Sequence, residues 1–146
     1  MARGMKVKYK IIISNKGKKF PNKFGFNEIY DGKKAKYNPR TRKFTYLAND
    51  VKNEGKKICC NAIRKQLRGI KILNPIKCIY YIYANSADHD RSNLYAGIEK
   101  IFLDSLQDEG VIKNDAWNDV LDSEFHTYVD RENPRVVVEI IEVERR

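Results

Sequence analysis

Carboxylates flank one predicted helix in a chain that is basic overall. Asp88 and Asp90 precede the helix and Asp115 follows it, whereas the 146-residue chain has a formal net charge of +10. Two or three carboxylates can hold Mg²⁺, with Mn²⁺ as a substitute, and leave positions open for water and a phosphate oxygen. A metal bound in this way activates water and neutralises phosphodiester oxygens. These residue types therefore predict metal-dependent hydrolysis of a phosphodiester.

The predicted helix places further polar residues on one stripe. Asn93, Gly97, Lys100 and Asp104 follow the i, i+4, i+7, i+11 spacing. In that position Lys100 can stabilise the negative charge that develops during phosphodiester hydrolysis. Asp104 is a further candidate metal ligand. Simpler roles stay open, because Lys100 and Asp104 could form an ion pair worth about 0.3–0.5 kcal/mol. Asp90 could equally be only the N-cap of the helix.

The length of this helix limits which carboxylates can meet. A helix of about 16 residues is ~24 Å long, and the five steps from Gly110 to Asp115 return at most ~17 Å. If the reach of the side chains does not close the difference, Asp115 must meet Asp90 of a second subunit. A composite site in a homodimer is therefore one hypothesis.

Hydrophobic periodicity predicts the elements that position these residues. The order is strand, long loop, helix, strand, helix and an antiparallel β ending, which predicts a single α+β domain over residues 1–146. Its sheet is small and mixed or antiparallel, with two main helices. The predicted elements are a strand over Val7–Ile13, a helix over 49–68, a strand over Ile76–Ala84, a helix over 93–108, short strands over Trp117–Leu121 and Glu124–Val129, a turn over Asp130–Pro134 and a closing strand over Arg135–Val143.

Residues 14–47 have no sustained period and are predicted to form a long loop. Aromatic and basic residues alternate there, a composition that can stack on bases and hold phosphates. The same aromatic residues could instead form a small satellite core. Both interpretations stay open on sequence alone.

Positive charge is concentrated in the first half of the chain. This distribution favours a phosphate-binding surface beside an acidic pocket, although a lysine-rich composition alone would also explain it. The predicted partner is DNA. The residues expected to bind it are Arg40, Arg42, Lys43, Lys56, Lys57, Arg64 and Lys65.

The sequence lacks the features that are typical of several other classes of protein. No apolar run approaches the ~20 residues of a membrane helix, and no signal peptide is recognisable, so we expect a cytoplasmic protein without a membrane partner. Three cysteines without metal-ligand spacing are expected to be buried thiols. No phosphate-binding glycine loop occurs. His89 and His126 are expected to be ordinary exposed histidines, and Trp117 a core or interface residue.

Several segments together resemble the RusA-type Holliday-junction resolvases, in particular the RusA-like proteins of phages and prophages. The likeness is clear over residues 76–143 and looser before them. Phe26–Tyr30 is similar to an N-terminal family segment, and Asn133–Ile140 to the closing strand. The motifs are Asp90-Arg91-Ser92-Asn93, Lys100-Ile101-Phe102-Leu103-Asp104-Ser105-Leu106 and Gly110-Val111-Ile112-Lys113-Asn114-Asp115.

The resemblance implies a Mg²⁺-dependent homodimeric endodeoxyribonuclease that resolves four-way DNA junctions in recombination and repair. By the same resemblance, Asp90 and Asp115 are metal ligands and catalytic residues. Lys100 is then the basic residue of the catalytic site.

One departure from the family pattern falls on a metal ligand. Ser92 replaces a family aspartate and is a much poorer ligand for Mg²⁺. Asp88 or Asp104 could take its place. If neither does, the chain is a catalytically weak or inactive junction-binding protein of the same fold. A further alternative is a general DNA- or RNA-associated protein whose carboxylates are structural.

Overall fold

Strand β4 (Ile76–Ala84) forms the centre of the sheet in this computed structural model. The structure describes the backbone of residues 5–14, 35–84 and 91–143, and the side chains of 8–14, 38–42, 53–84, 91–92 and 94–143. Every second residue of β4 is buried, and those between are half-buried. Because side chains alternate across a strand, β4 packs against the core on one face and keeps a partly covered second face. Its predicted bounds are confirmed.

Three strands extend the sheet on either side of β4. They are β1 (Met5–Ile13), β5 (Val120–Val129) and β6 (Arg135–Val143), in the order β1-β6-β4-β5. β6 runs antiparallel to both β1 and β4, whereas β5 runs parallel to β4. The sheet is therefore mixed, and the predicted small α+β fold is confirmed.

Two helices supply the rest of the core. Helix α1 spans Leu47–Gln66 and helix α2 spans Arg91–Asp108, each starting two residues before the predicted boundary. Gly69 and Gly110 follow the helices with φ near +75°, a conformation that glycine adopts without strain. Both helices pack on the same face of the sheet. The two helices contribute these residues to the core: Cys59 and Ile63 from α1, and Leu94, Ile98, Ile101, Phe102, Leu103 and Leu106 from α2.

The predicted end of the chain differs from the structure in two ways. The two short strands predicted over Trp117–Leu121 and Glu124–Val129 are one strand, β5, and Trp117 lies before it in a turn. That turn leaves Trp117 93% exposed, so a core role for it is wrong. The turn at Asp130–Pro134 joins β5 to β6, yet these strands do not pair, because β4 lies between them.

Part of the predicted loop is a β-hairpin. β2 (Ala35–Asn38) pairs antiparallel with β3 (Lys43–Tyr46). The turn closes with an N–H donated by Arg42 to the carbonyl oxygen of Asn38 at 2.9 Å, and Arg42 adopts a φ of 55°. Residues 15–34 of the predicted loop lie outside the described residues.

A glutamine side chain covers part of the β1 edge. Gln66 accepts the N–H of Ile12 at 2.8 Å and donates to the carbonyl oxygen of Ile12 at 2.6 Å. It therefore occupies the hydrogen-bonding groups that another strand would use, which is one way in which proteins block an open sheet edge.

Replacing Gln66 with alanine should weaken the attachment of helix α1 to strand β1. We expect the free energy of unfolding to fall by about 1–2 kcal/mol, because two hydrogen bonds are lost. Urea titration of Gln66→Ala beside Lys57→Ala, an exposed change on the same helix, measures it. Equal stability of the two variants would show that the contact contributes nothing.

Candidate active site

Helix α2 begins directly after the first group of candidate carboxylates. Asp88, His89 and Asp90 lie outside the described residues, but the helix starts at Arg91, and Ser92 is exposed in its first turn. The side chain of Asn93 is also outside the described part. In the sequence, Asp90 directly precedes Arg91, the first residue of the helix.

Asp115 is positioned by a loop at the other end of α2. Ile72 donates its N–H to the carbonyl oxygen of Val111 at 2.7 Å, and Ile76 donates to that of Asp119 at 2.8 Å. These bonds tie the loop to the start of β4. Val111 and Ile112 are buried, whereas Asn114 and Asp115 are exposed.

Asp115 is therefore far from the start of α2 within one chain. The 18 residues of α2 correspond to about 26 Å along the helix axis. Asp115 lies in the loop anchored where β4 begins, whereas Asp90 lies in the sequence between the end of β4 and the start of α2. A carboxylate places its oxygens only ~2–2.5 Å from a metal, a reach much shorter than the helix. The composite site in a homodimer stays a prediction.

Lys100 and Asp104 contact each other on α2. Lys100 donates to the Asp104 carboxylate at 3.2 Å, and Asp104 is half-buried. One helical turn further along, Asp108 forms an ion pair with Lys56 of helix α1. The Asp108 carboxylate raises the pKa of the Lys56 ammonium group through this hydrogen bond. These pairs give Asp104 and Asp108 structural roles near the junction of the two helices.

No group of three metal-ligating side chains occurs within the residues that the structure describes. Asp104 and Asp115 are the candidate ligands among them. The oxygen donors proposed from sequence suit Mg²⁺, but any such set must include Asp88 or Asp90.

The predicted DNA-binding residues fall into two groups. Lys56 and Arg64 are ion-paired, since Arg64 donates to both carboxylate oxygens of Glu109 at 2.8 and 3.1 Å. Lys57 and Lys65 on α1 are exposed and form no ion pair with another described residue. Lys65 also borders a groove of about 310 Å³ beside the end of β1.

The hairpin carries the remaining basic residues. Arg40 and Arg42 are exposed in its turn, and Arg40 donates its N–H to Asn38 Oδ1 at 3.0 Å. The side chain of Lys43 lies outside the described part of the chain. The hairpin tip therefore presents two guanidinium groups to solvent.

The sheet face opposite the helices carries a row of stacked aromatic rings and a guanidinium group, which the sequence did not lead us to predict. The Arg135 guanidinium lies 3.9 Å from the centroid of the Tyr83 ring, and Tyr83 stacks on Tyr128 at 5.0 Å. Beside this row, Tyr81 stacks on His126 at 5.3 Å. Such rings offer surfaces on which nucleic-acid bases can stack. One sequence pattern could have predicted this row. Tyrosines occur at a two-residue spacing in β4, and His126 and Tyr128 repeat that spacing in β5.

The turn after β5 is organised by Asp130. Its carboxylate accepts the N–H groups of Glu132 and Asn133 at 3.2 and 3.1 Å, and a side-chain N–H of Arg135 at 2.9 Å. The Asn133 N–H and the Arg135 side chain lower the pKa of Asp130. The turn thereby fixes Arg135 beside Tyr83.

Asp130→Asn should reduce stability in a pH-dependent way. The depressed pKa in the folded state means that the charged carboxylate stabilises the fold above its unfolded pKa. This contribution is lost as the pH falls through the folded pKa. We therefore expect a lower urea midpoint for Asp130→Asn near neutral pH and convergence with the parent chain in acid. Glu132→Gln, in the same turn, is the matched control; a difference that persists unchanged at low pH would contradict the charge-based role.

The chain was compared with protein-family models and with curated proteins. Neither protein-family models nor curated proteins gave a match to this chain. The likeness to RusA-type resolvases therefore rests on the sequence motifs given above.

Proposed function

We propose that this chain is a Mg²⁺-dependent endodeoxyribonuclease that resolves four-way DNA junctions as a homodimer in the cytoplasm. The supporting observation is the placement of Asp115. It is exposed at the sheet end opposite the start of α2, and in this proposal a second subunit brings it near Asp90. Within the described part of the chain, no helix is long and apolar enough to span a membrane.

In this proposal, the chain's own residues hold and orient the reacting groups. Asp115 of one subunit, with Asp88 and Asp90 of the other, supplies carboxylate oxygens for Mg²⁺. When bound, the ion supplies an activated water and neutralises charge on the phosphate. Lys100 donates a hydrogen bond to Asp104. It is the candidate residue for stabilising the negative charge that develops during hydrolysis.

Two kinds of surface support a DNA substrate. The exposed Lys57, Lys65, Arg40 and Arg42 suit contacts with phosphates, in a chain whose net charge is +10. The row that includes Tyr128 suits stacking on an unpaired base. It lies near the end of β4, from which the chain leads to Asp88 and Asp90.

An inactive junction-binding protein is the second candidate, and Ser92 favours it. The first turn of α2 contains no acidic residue, and an exposed hydroxyl occupies the position of the family aspartate. A junction-binding protein would retain affinity with steep salt dependence but would give no Mg²⁺-dependent product. Cleavage assays on a labelled four-way junction and a duplex of equal length distinguish these outcomes. Equal affinity for the two substrates would instead indicate a general nucleic-acid-binding protein.

Asp115→Asn should abolish junction cleavage and leave junction binding intact, because it removes one metal ligand without changing the basic surface. We expect a loss of at least ~100-fold in cleavage rate, the scale associated with an essential electrostatic group. Asp119→Asn, the same change four residues later, is the control. Retained cleavage by Asp115→Asn would remove this residue from the site.

Mixing two inactive chains tests whether the site is shared. A dimer of Asp115→Asn with Asp90→Asn contains one intact composite site, so it should nick one strand. Mixed dimers without activity would instead place both residues in a site within one subunit.

The double variant Lys57→Ala/Lys65→Ala should bind junctions more weakly and with less salt dependence. If each lysine contacts one phosphate, the log–log salt slope should become shallower by about 0.9 per lysine. The control is Arg64→Ala/Glu109→Ala, which removes a neutral ion pair from the same region. Titration at several salt concentrations measures both. An unchanged slope in the lysine variant would place the DNA elsewhere.

A further inference from the structure

Among the residues that the structure describes, no strand pairs with the outer edge of strand β5. It spans ten residues and is the outer strand beside β4. Leu121 is 52% exposed and Val129 is 53% exposed, near its two ends. The opposite edge differs, because Gln66 occupies the groups of Ile12 there. A long open edge with exposed apolar residues is a site for pairing with another strand.

The backbone groups available at this edge can be identified. Asp130, directly after β5, donates its N–H to Ala84 of β4, so even-numbered groups along β5 point toward β4. Ser123 instead donates its N–H to Asp122 Oδ1 at 2.8 Å, as expected for a group facing the open edge. By the same alternation, Phe125, Thr127 and Val129 present their N–H and C=O groups outward.

The sequence of β5 is complementary to itself when reversed about Phe125. In that antiparallel register, Ser123 lies opposite Thr127 and Glu124 opposite His126. These are hydroxyl and acid–histidine pairs, kinds of cross-strand pair that stabilise sheets. The register of β5 against β4 shifts between Val120 and Asp122, so the pairing is assigned only from Asp122 to Val129. A shift of one residue in either chain would place backbone groups that face outward opposite groups that face β4, so the hydrogen-bond ladder could not form.

Charge favours a second copy of this chain as the partner. β5 contains two carboxylates and no lysine or arginine, although the chain has a net charge of +10. Lys77 lies 3.8 Å from the Asp122 carboxylate and 3.6 Å from that of Glu124. Two copies that meet here therefore avoid the repulsion that their basic surfaces would impose.

We propose that two copies pair through antiparallel β5 strands, with Phe125 on the two-fold axis, to form one eight-stranded sheet. In this register Asp122 of one subunit lies opposite the partner's Tyr128. The loop that carries Asp115 then lies at the end of the partner's sheet where β4 ends and α2 begins. This last consequence rests on the proposed nuclease function, whereas the interface itself rests on β5 alone.

Disulfide trapping tests the register directly. Asp122→Cys/Tyr128→Cys places cysteines opposite each other across the two-fold axis, at a Cα separation near 4.5–5.5 Å that a disulfide can span. Within one chain these positions are about 20 Å apart, too far for a disulfide. Oxidation should therefore convert the 17.1 kDa chain to a reducible species of twice that mass.

Three controls make the result specific. Each single cysteine variant should stay monomeric on a non-reducing gel, because identical positions other than 125 lie far apart in this register. The parent chain controls for native thiols; burial raises the pKa of Cys78 to about 12 and also raises that of Cys59. Ser123→Cys/Thr127→Cys tests the same register at a second pair in the regular part of β5. Failure of both pairs to cross-link, or equal cross-linking of the single variants, would overturn the proposal.

Sedimentation and cleavage separate this inference from the proposed function. A parent chain that sediments at twice 17.1 kDa and cross-links through β5 supports the interface, whether or not it cuts DNA. A chain that cleaves junctions but fails to cross-link through β5 overturns the interface and leaves the nuclease proposal standing.

Discussion

The packing of helix α2 along strand β4 is the constraint on which the rest of the structure depends. Tyr80 is fully buried, meets Phe102 of α2 edge-on at 5.8 Å and stacks on Phe125 of β5 at 4.8 Å. This aromatic contact fixes the helix over both strands. Because α2 leads back from the end of β4 to its beginning, β5 must run parallel to β4. The same return separates the carboxylates on the two sides of the helix.

The acidic residues of α2 and of the segment that follows it are of two kinds. Asp108 and Glu109 pair with Lys56 and Arg64 of α1, which orients the two helices relative to each other. Asp104 pairs with Lys100 within α2. Exposed ion pairs contribute little stability, roughly 0–1 kcal/mol each, so their effect is mainly on orientation. Asp115 is different, because it forms no ion pair with another described residue and lies on a loop tied to the sheet. A negative charge kept exposed and well positioned is suited to binding a cation from outside its own subunit.

Local pattern predicted the elements better than their arrangement. The bounds of β4 and β6 were correct because continuous apolar runs end at clear turn residues, and α2 was marked by its 3.6-residue period. Strand order was not predictable, since the turn after Asp130 is as short as a hairpin turn yet crosses the end of β4. Sequence motifs identified Asp115 and the Ser92 departure. They did not identify the Tyr83–Arg135 stack, which depends on which strands are neighbours.

The length of β5 has a consequence for a two-fold dimer of this sheet. Pairing two copies through this strand places one Asp115 loop at each end of the pair. Ten residues of strand correspond to about 30 Å, so the two loops are separated by roughly this distance. One helical turn of duplex DNA measures about 34–36 Å. In the proposed nuclease dimer, β5 would therefore set two quantities together: which subunits share each carboxylate set, and how far apart two symmetric cuts in a junction fall.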